Sequence, residues 1–138
     1  MTNFIKLMFI VILSGCDSNP PVYNLTNNCD VVVGCPIDDM SEQLTLSVPK
    51  IISPEQLFSL ELVFNNSVSN IEAKLEGITM YMGVIPVLFK QQGDLSQYRA
   101  TTLVGRCATD TMQWRLTLQW QQGSQQFKAF KLINIKQF

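Results

Sequence analysis

The run that most constrains the fold is MQWRLTLQWQQ at residues 112–122, in which large apolar and polar side chains alternate without a break from 112 to 121. Successive side chains of an extended strand point to opposite faces of a sheet, so every second residue shares a face. The apolar set is Met112, Trp114, Leu116, Leu118 and Trp120, and Gln113, Arg115, Thr117 and Gln119 lie between them. No helical register separates the two sets as well. The run therefore predicts a long strand with one buried face.

The rest of the chain after Met40 repeats this two-residue period in shorter runs separated by turn residues. QLTLSVP, FSLELVF and IEAKLEG each place their apolar residues on one face. We predict seven strands, at residues 43–49, 57–64, 70–76, 84–91, 96–105, 112–121 and 126–136. Seven short strands around a central tryptophan-bearing strand predict an all-β fold, an antiparallel immunoglobulin-like β-sandwich that occupies residues 41–138.

The first 15 residues have the composition of a processed signal peptide. Lys6 precedes an apolar run at residues 7–13, which is too short to span a bilayer stably. Leu13, Ser14, Gly15 and Cys16 resemble a bacterial lipobox. That resemblance implies cleavage before Cys16 and acylation of this cysteine by fatty acids such as palmitate. An ordinary secretory signal that happens to end near a cysteine is the alternative.

Asp17 follows the predicted lipidated cysteine directly. It resembles the sorting residue that keeps enterobacterial lipoproteins in the inner membrane, where they face the periplasm. Residues 16–40 are predicted to be a lipidated tether, because residues 17–28 are rich in Asn, Pro, Ser and Asp. A tether of roughly 24 residues has a root-mean-square reach of about 25–30 Å.

Three cysteines remain after lipidation, in a compartment that oxidises thiols. Cys29 and Cys35 are near in sequence, and a disulfide between them is the first expectation. The alternative pairs Cys107 with one of these two and joins the amino-terminal segment to the sandwich. In the first case Cys107 is a free thiol.

The composition excludes several functions. The chain has 10 Lys plus Arg, 11 Asp plus Glu and a formal net charge of −1, without the basic surplus that nucleic acid binding requires. It has no histidine, which excludes Ser/His/Asp and Cys/His catalysis and imidazole metal sites. Its carboxylates are scattered in turns without the spacing of an acid and base pair. We therefore predict that the protein is not an enzyme.

Four sulfur-bearing residues are predicted to meet at one end of the sandwich. Met80 and Met82 have one residue between them, so an extended backbone would point both thioethers the same way. The strand before them is expected to pair with the strand that follows Cys107 and begins at Met112. Thioether and thiolate ligands without imidazole select Cu(I). The alternative is a methionine-rich edge of the core or an apolar patch.

The stretches LEGITMYMG, GDLSQYRATTLVG and CATDTMQWRLTL are similar to the periplasmic FixH-like and CopC-like accessory sandwiches, over about residues 43–136. This resemblance implies a role in copper handling or cytochrome oxidase assembly. Because the chain has no histidine, only the sulfur ligands Met80, Met82, Cys107 and Met112 carry over, and the imidazole ligands that suit Cu(II) are absent. The alternative function is an interaction module that docks a membrane-complex partner without metal, through one sheet face or the edge TMYMGVIP.

Overall fold

A computed structural model describes residues 34–40 and 42–136 of the protein. In chain order the elements are β1 (Cys35–Pro36), a 3₁₀ turn (Ile37–Met40), β2 (Leu44–Ser47), β3 (Phe58–Phe64), β4 (Ser69–Gly77), β5 (Val84–Pro86), β6 (Lys90–Gln92), β7 (Asp94–Thr102), β8 (Thr111–Gln122) and β9 (Gln125–Lys136). The predicted signal peptide at residues 1–15, the lipidation residue Cys16, the sorting residue Asp17 and Cys29 lie outside the described residues.

The strands form two sheets that enclose the core. One sheet has the order β1-β9-β8-β4-β5, and the other has the order β2-β3-β7-β6. All neighbouring strands are antiparallel except the two-residue β1, which pairs in parallel with β9. Apart from β1, the strands β9, β8 and β4 correspond to G, F and C of an immunoglobulin-like sandwich, with β5 added beside β4. The order β2-β3-β7-β6 corresponds to its ABED sheet. The prediction of an all-β antiparallel sandwich is confirmed, with eight strands in the two antiparallel sheets instead of seven.

The extra strand comes from residues 84–91, for which a single strand was the expectation. This stretch contains two short strands that belong to different sheets, since β5 pairs with β4 whereas β6 pairs with β7. Between them Val87 is 3% exposed and its N–H donates to the Ala73 carbonyl oxygen at 2.8 Å. The prediction was wrong here because an apolar run that crosses from one sheet to the other has no break in its hydrophobic pattern.

The core follows the predicted alternation closely on β8 and β3. Met112, Trp114, Leu116, Leu118 and Trp120 are each no more than 2% exposed. Across the sandwich, β3 has the burial pattern of a strand with one face inward, with Leu60 and Leu62 fully buried. The Trp120 ring lies 5.4 Å from the Phe64 ring and 5.5 Å from the Phe127 ring, between centroids. Aromatic packing therefore joins the two sheets near the β8–β9 hairpin.

The folded domain begins before residue 41, where the sequence places its boundary. Residues 35–36 pair with β9, and the next turn buries Ile37 and Met40 at 4% and 5% exposure. Lys131 Nζ holds both carboxylate oxygens of Asp38, at 2.6 and 2.7 Å. This turn therefore packs on the sandwich, and the predicted tether ends earlier than Met40. None of the helical structure in residues 34–40 and 42–136 is long or apolar enough to span a bilayer.

Candidate functional site

Three loops, at residues 48–57, 78–83 and 103–110, meet at one end of the sandwich, which we call the sulfur end. The Glu55 N–H donates to the Val104 carbonyl oxygen at 2.8 Å, and Arg106 Nε lies 3.5 Å from a carboxylate oxygen of the same Glu55. The Met82 methyl group lies over Gly105, where a Cβ atom would be 3.6 Å from it. The 103–110 loop is therefore the middle one, in contact with both of the others.

The end of β4 lies beside the start of β8, as the sequence predicts. Gly77 pairs with Trp114, and just beyond the strand the Ile78 N–H donates to the Gln113 carbonyl oxygen at 2.8 Å. The Gln113 N–H in turn donates to the Thr79 hydroxyl at 3.3 Å. These bonds fold the 78–83 loop back against the first residues of β8.

The tight return of this loop depends on a glycine. The Met80 carbonyl oxygen packs so closely on Gly77 that a Cβ atom at position 77 would overlap it. The chain therefore turns away from β4 at Gly77, and residues 78–83 do not continue the strand. The prediction for Met80 and Met82 assumed an extended backbone, and the structure has bends at residues 78–80 instead.

The sulfur atoms of Met80 and Cys107 nevertheless come together. The Cys107 thiol lies 3.1 Å from the Met80 thioether, between sulfur atoms. Met82 is partly buried and packs against the core beside Gly105, two residues before Cys107. Met112 is 2% exposed and takes its place on the inner face of β8 opposite Ile135. Of the four predicted ligands, the structure thus joins Met80 to Cys107, places Met82 at the same loop contact, and puts Met112 in the core.

The surroundings of Cys107 favour its thiolate. The backbone N–H of Thr109 lowers the pKa of the Cys107 thiol by donating a hydrogen bond to the sulfur, and the Thr109 hydroxyl and the Ala108 N–H act in the same direction against partial desolvation. Thr109 is not among the site residues predicted from the sequence. The signal was available, since small and hydroxyl residues directly after a cysteine in a turn can aim their donors back at the sulfur.

The two paired sulfurs fit a soft cation. Metal to sulfur bonds are about 2.3 Å long, so two sulfurs on one ion are at most about 4.6 Å apart. The separation of 3.1 Å between Met80 and Cys107 lies inside this limit. A thiolate with one or two thioethers is the donor set that selects Cu(I). Within the described ranges no group of three or more Cys, Asp and Glu side chains could hold a metal ion.

Cys107 is a free cysteine and forms no disulfide with any residue that the structure describes. The backbone of Cys35 pairs with Ala129 in the first half of β9, whereas Cys107 precedes Thr111, which pairs with Lys136 at the other end of that strand. The predicted disulfide between Cys29 and Cys35 involves Cys29, which lies outside the described residues, and it stays a prediction.

No protein-family model and no curated protein matches the sequence. Among solved structures, a DUF4785 family protein from Legionella pneumophila is similar to this chain with a TM-score of 0.47 and 10% sequence identity. The similarity covers 68% of this chain and 28% of that protein, so the chain spans less than a third of its length. At this TM-score the likeness carries no argument about this chain.

Proposed function

We propose that the protein is a non-catalytic lipoprotein, anchored through Cys16 on the periplasmic side of the inner membrane, that binds Cu(I) at the sulfur end of its sandwich. Cys107 supplies the thiolate, Met80 the first thioether and Met82 a second. The observation that carries this proposal is the 3.1 Å approach of the Cys107 and Met80 sulfurs across two loops that are far apart in sequence. The resemblance to copper-handling sandwiches makes oxidase assembly the process that such a protein serves.

Several properties of the site support a copper role over simple core packing. The Met80 side chain is 42% exposed, so it does not fill a gap in the core as buried methionines do. Cys107 is only partly buried, and hydrogen bond donors from Thr109 and Ala108 lower its pKa. An accessible cysteine whose pKa is lowered is better suited to bind a metal than a buried, inert one. The anchoring half of the proposal is supported by the lipobox-like residues 13–16 alone.

Anaerobic titration with Cu(I) against a competing chelator tests the metal site. The full-length chain in detergent is expected to take up a single tight equivalent. Cys107→Ser is expected to abolish this binding, and so is the double variant Met80→Leu with Met82→Leu. Leucine is close to methionine in volume, so these changes remove sulfur with little effect on packing.

Met40→Leu is the control for the loss of a methionine sulfur, because Met40 is buried in the 3₁₀ turn packed beside β9. It is expected to bind Cu(I) as the wild type does. Met112→Leu tests whether the buried Met112 contributes to Cu(I) binding. Wild-type binding no tighter than about 1 μM, near −8 kcal/mol, would end the copper proposal.

A second candidate, docking to a membrane-complex protein without metal, is favoured by the exposure of the TMYMGVIP segment. Tyr81 is 83% exposed and Val84 is 48% exposed, next to the unpaired edge of β5. Pull-down from detergent-solubilised membranes with the metal-free protein is then expected to recover one stable partner, and Tyr81→Ala is expected to lose it. Recovery of no partner by the wild type counts against this candidate.

A further inference from the structure

The exposed apolar side chains of the protein are concentrated at the sulfur end. Of ten large hydrophobic residues exposed in the described part of the chain, six belong to its three loops. They are Ile51, Leu57, Ile78, Met80, Tyr81 and Leu103, and their exposures range from 41% to 83%. Single exposed apolar residues are ordinary, but a group on one surface marks a contact with something apolar.

The three loops that carry these six residues are in contact with one another. Glu55 and Arg106 tie the 48–57 loop to the 103–110 loop, and the Met80 to Cys107 contact ties the 78–83 loop to it. Leu57 and Leu103 also continue the β3–β7 pairing one step beyond Phe58 and Thr102, which places them opposite each other. The sulfur end thus carries exposed apolar side chains on three adjoining loops.

Apart from Cys107, the charges of these loops cancel. The 48–57 loop contains Lys50 and Glu55, the 103–110 loop contains Arg106 and Asp110, and the 78–83 loop contains no charged residue. Glu55 and Arg106 pair with each other. The surface therefore has nothing that would attract a strongly charged partner, whereas an exposed tyrosine among aliphatic side chains is typical of the interface between lipid headgroups and acyl chains.

The distance from Cys35 to the sulfur end determines how far the predicted tether must reach if this end contacts the bilayer. Cys35 pairs with Ala129, and seven residues of β9 at about 3.4 Å each place it roughly 24 Å from the sulfur end. The predicted tether covers 19 residues from Cys16 to Cys35, and a flexible chain of that length has a root-mean-square reach of roughly 22–26 Å. If the sulfur end touches the membrane, Cys35 stands above it at about this height. An anchored contact is strongest when the linker length matches the span in this way.

We propose that the sulfur end seats in the headgroup layer of the phospholipid bilayer that carries the anchor, with Tyr81, Ile51 and Leu57 as its deepest side chains. This rests on the proposed acylation of Cys16 and is independent of copper. The seating places the Met80 and Cys107 sulfurs at the membrane surface. A membrane-embedded partner would meet them there.

Tryptophan quenching by brominated lipid tests the seating. The full-length chain is reconstituted in phosphatidylcholine vesicles with and without bromine on the acyl chains, as the wild type, Tyr81→Trp and Leu88→Trp. The native Trp114 and Trp120 are buried and give the background. Leu88 is 75% exposed on the crossover between β5 and β6, away from the sulfur end, and so is the matched control. We expect brominated lipid to quench most of the fluorescence of a tryptophan at position 81 and little of the fluorescence of a tryptophan at position 88.

Equal quenching at the two positions in a protein whose mass shows acylated Cys16 overturns the seating and leaves the surface to a protein partner. Quenching at position 81 should also be unchanged by salt and by added anionic lipid, since the loops are neutral. If the mass shows no acyl chains, the anchor fails separately. Vesicles are then added at about millimolar lipid, which is the effective concentration that a short tether supplies. This tests the membrane contact without the anchor, and the absence of quenching of Trp at position 81 under these conditions refutes the proposed contact.

Discussion

Replacing Gly77 by alanine is the sharpest test of how the fold builds the sulfur end. A Cβ atom at position 77 would overlap the Met80 carbonyl oxygen, which is a backbone atom and cannot turn aside as the end of a side chain can. The loop therefore has to move away from β4. Because Met80 is on that loop, its thioether is expected to leave Cys107 when the loop shifts.

The size of the effect follows from overpacking. Forcing one extra carbon into a filled site costs about 1–3 kcal/mol of unfolding free energy. In a domain of about 100 residues each kcal/mol lowers Tm by roughly 4–8 °C. Gly105→Ala is the matched control at the same end of the molecule, because a Cβ there makes an ordinary contact of 3.6 Å with the Met82 methyl group. It is expected to be neutral, or stabilising by up to about 1 kcal/mol through the unfolded chain.

Urea unfolding followed by the fluorescence of Trp114 and Trp120, both buried in the native state, measures the two variants. Gly77→Ala should lower the midpoint at an unchanged slope and weaken Cu(I) binding, and Gly105→Ala should do neither. If Gly77→Ala is as stable as Gly105→Ala and binds Cu(I) equally well, the close approach of Met80 to Gly77 does not shape the site and the reasoning fails.

Three further predictions concern the core, the thiol and the surface. Leu116→Ala, at a fully buried position of β8, should cost about 3–5 kcal/mol in urea unfolding, whereas Leu132→Ala, at 40% exposure, should cost less than about 1 kcal/mol. The lowered pKa of Cys107 means that its thiol loses its proton at a lower pH in the folded chain than in the denatured chain. The rate of alkylation by iodoacetamide should therefore decline at a lower pH for the folded chain. Identical pH profiles for the two states would contradict this. Glu61→Gln, which breaks the exposed pair with Arg99, should cost less than about 1 kcal/mol, and a larger loss would show that the pair is coupled to the fold.

The sheet positions were largely predictable from sequence because burial on one face imposes a two-residue period. The alternation in β8 predicts the five inward side chains from Met112 to Trp120, and all five are buried. The outer face departs from the pattern at Thr117, which is only 5% exposed. Thr117 is a short residue between Lys74 and Phe130 on the neighbouring strands, so longer side chains cover it. Such cover depends on cross-strand register, which no single run contains.

The loops of the site were less predictable, because their course also depends on contacts that no single run of sequence contains. The sequence indicates that the end of β4 meets the start of β8, and hence that Met80 lies near the segment of Cys107. It does not show that Gly77 ends the strand, since a glycine is compatible with a bulge, a turn or a continued strand. The direction of Met80 and Met82 depends on that choice.

The lone parallel strand has a mechanical consequence. Tension on the chain before Gly34 acts first on two residues of β1 and on the exposed pair of Asp38 and Lys131, while β8 and β9 are held together along 12 residues each. Under load this corner yields before either sheet does. Release of residues 35–43 would free about nine residues, or roughly 30 Å of extended chain, ahead of β2.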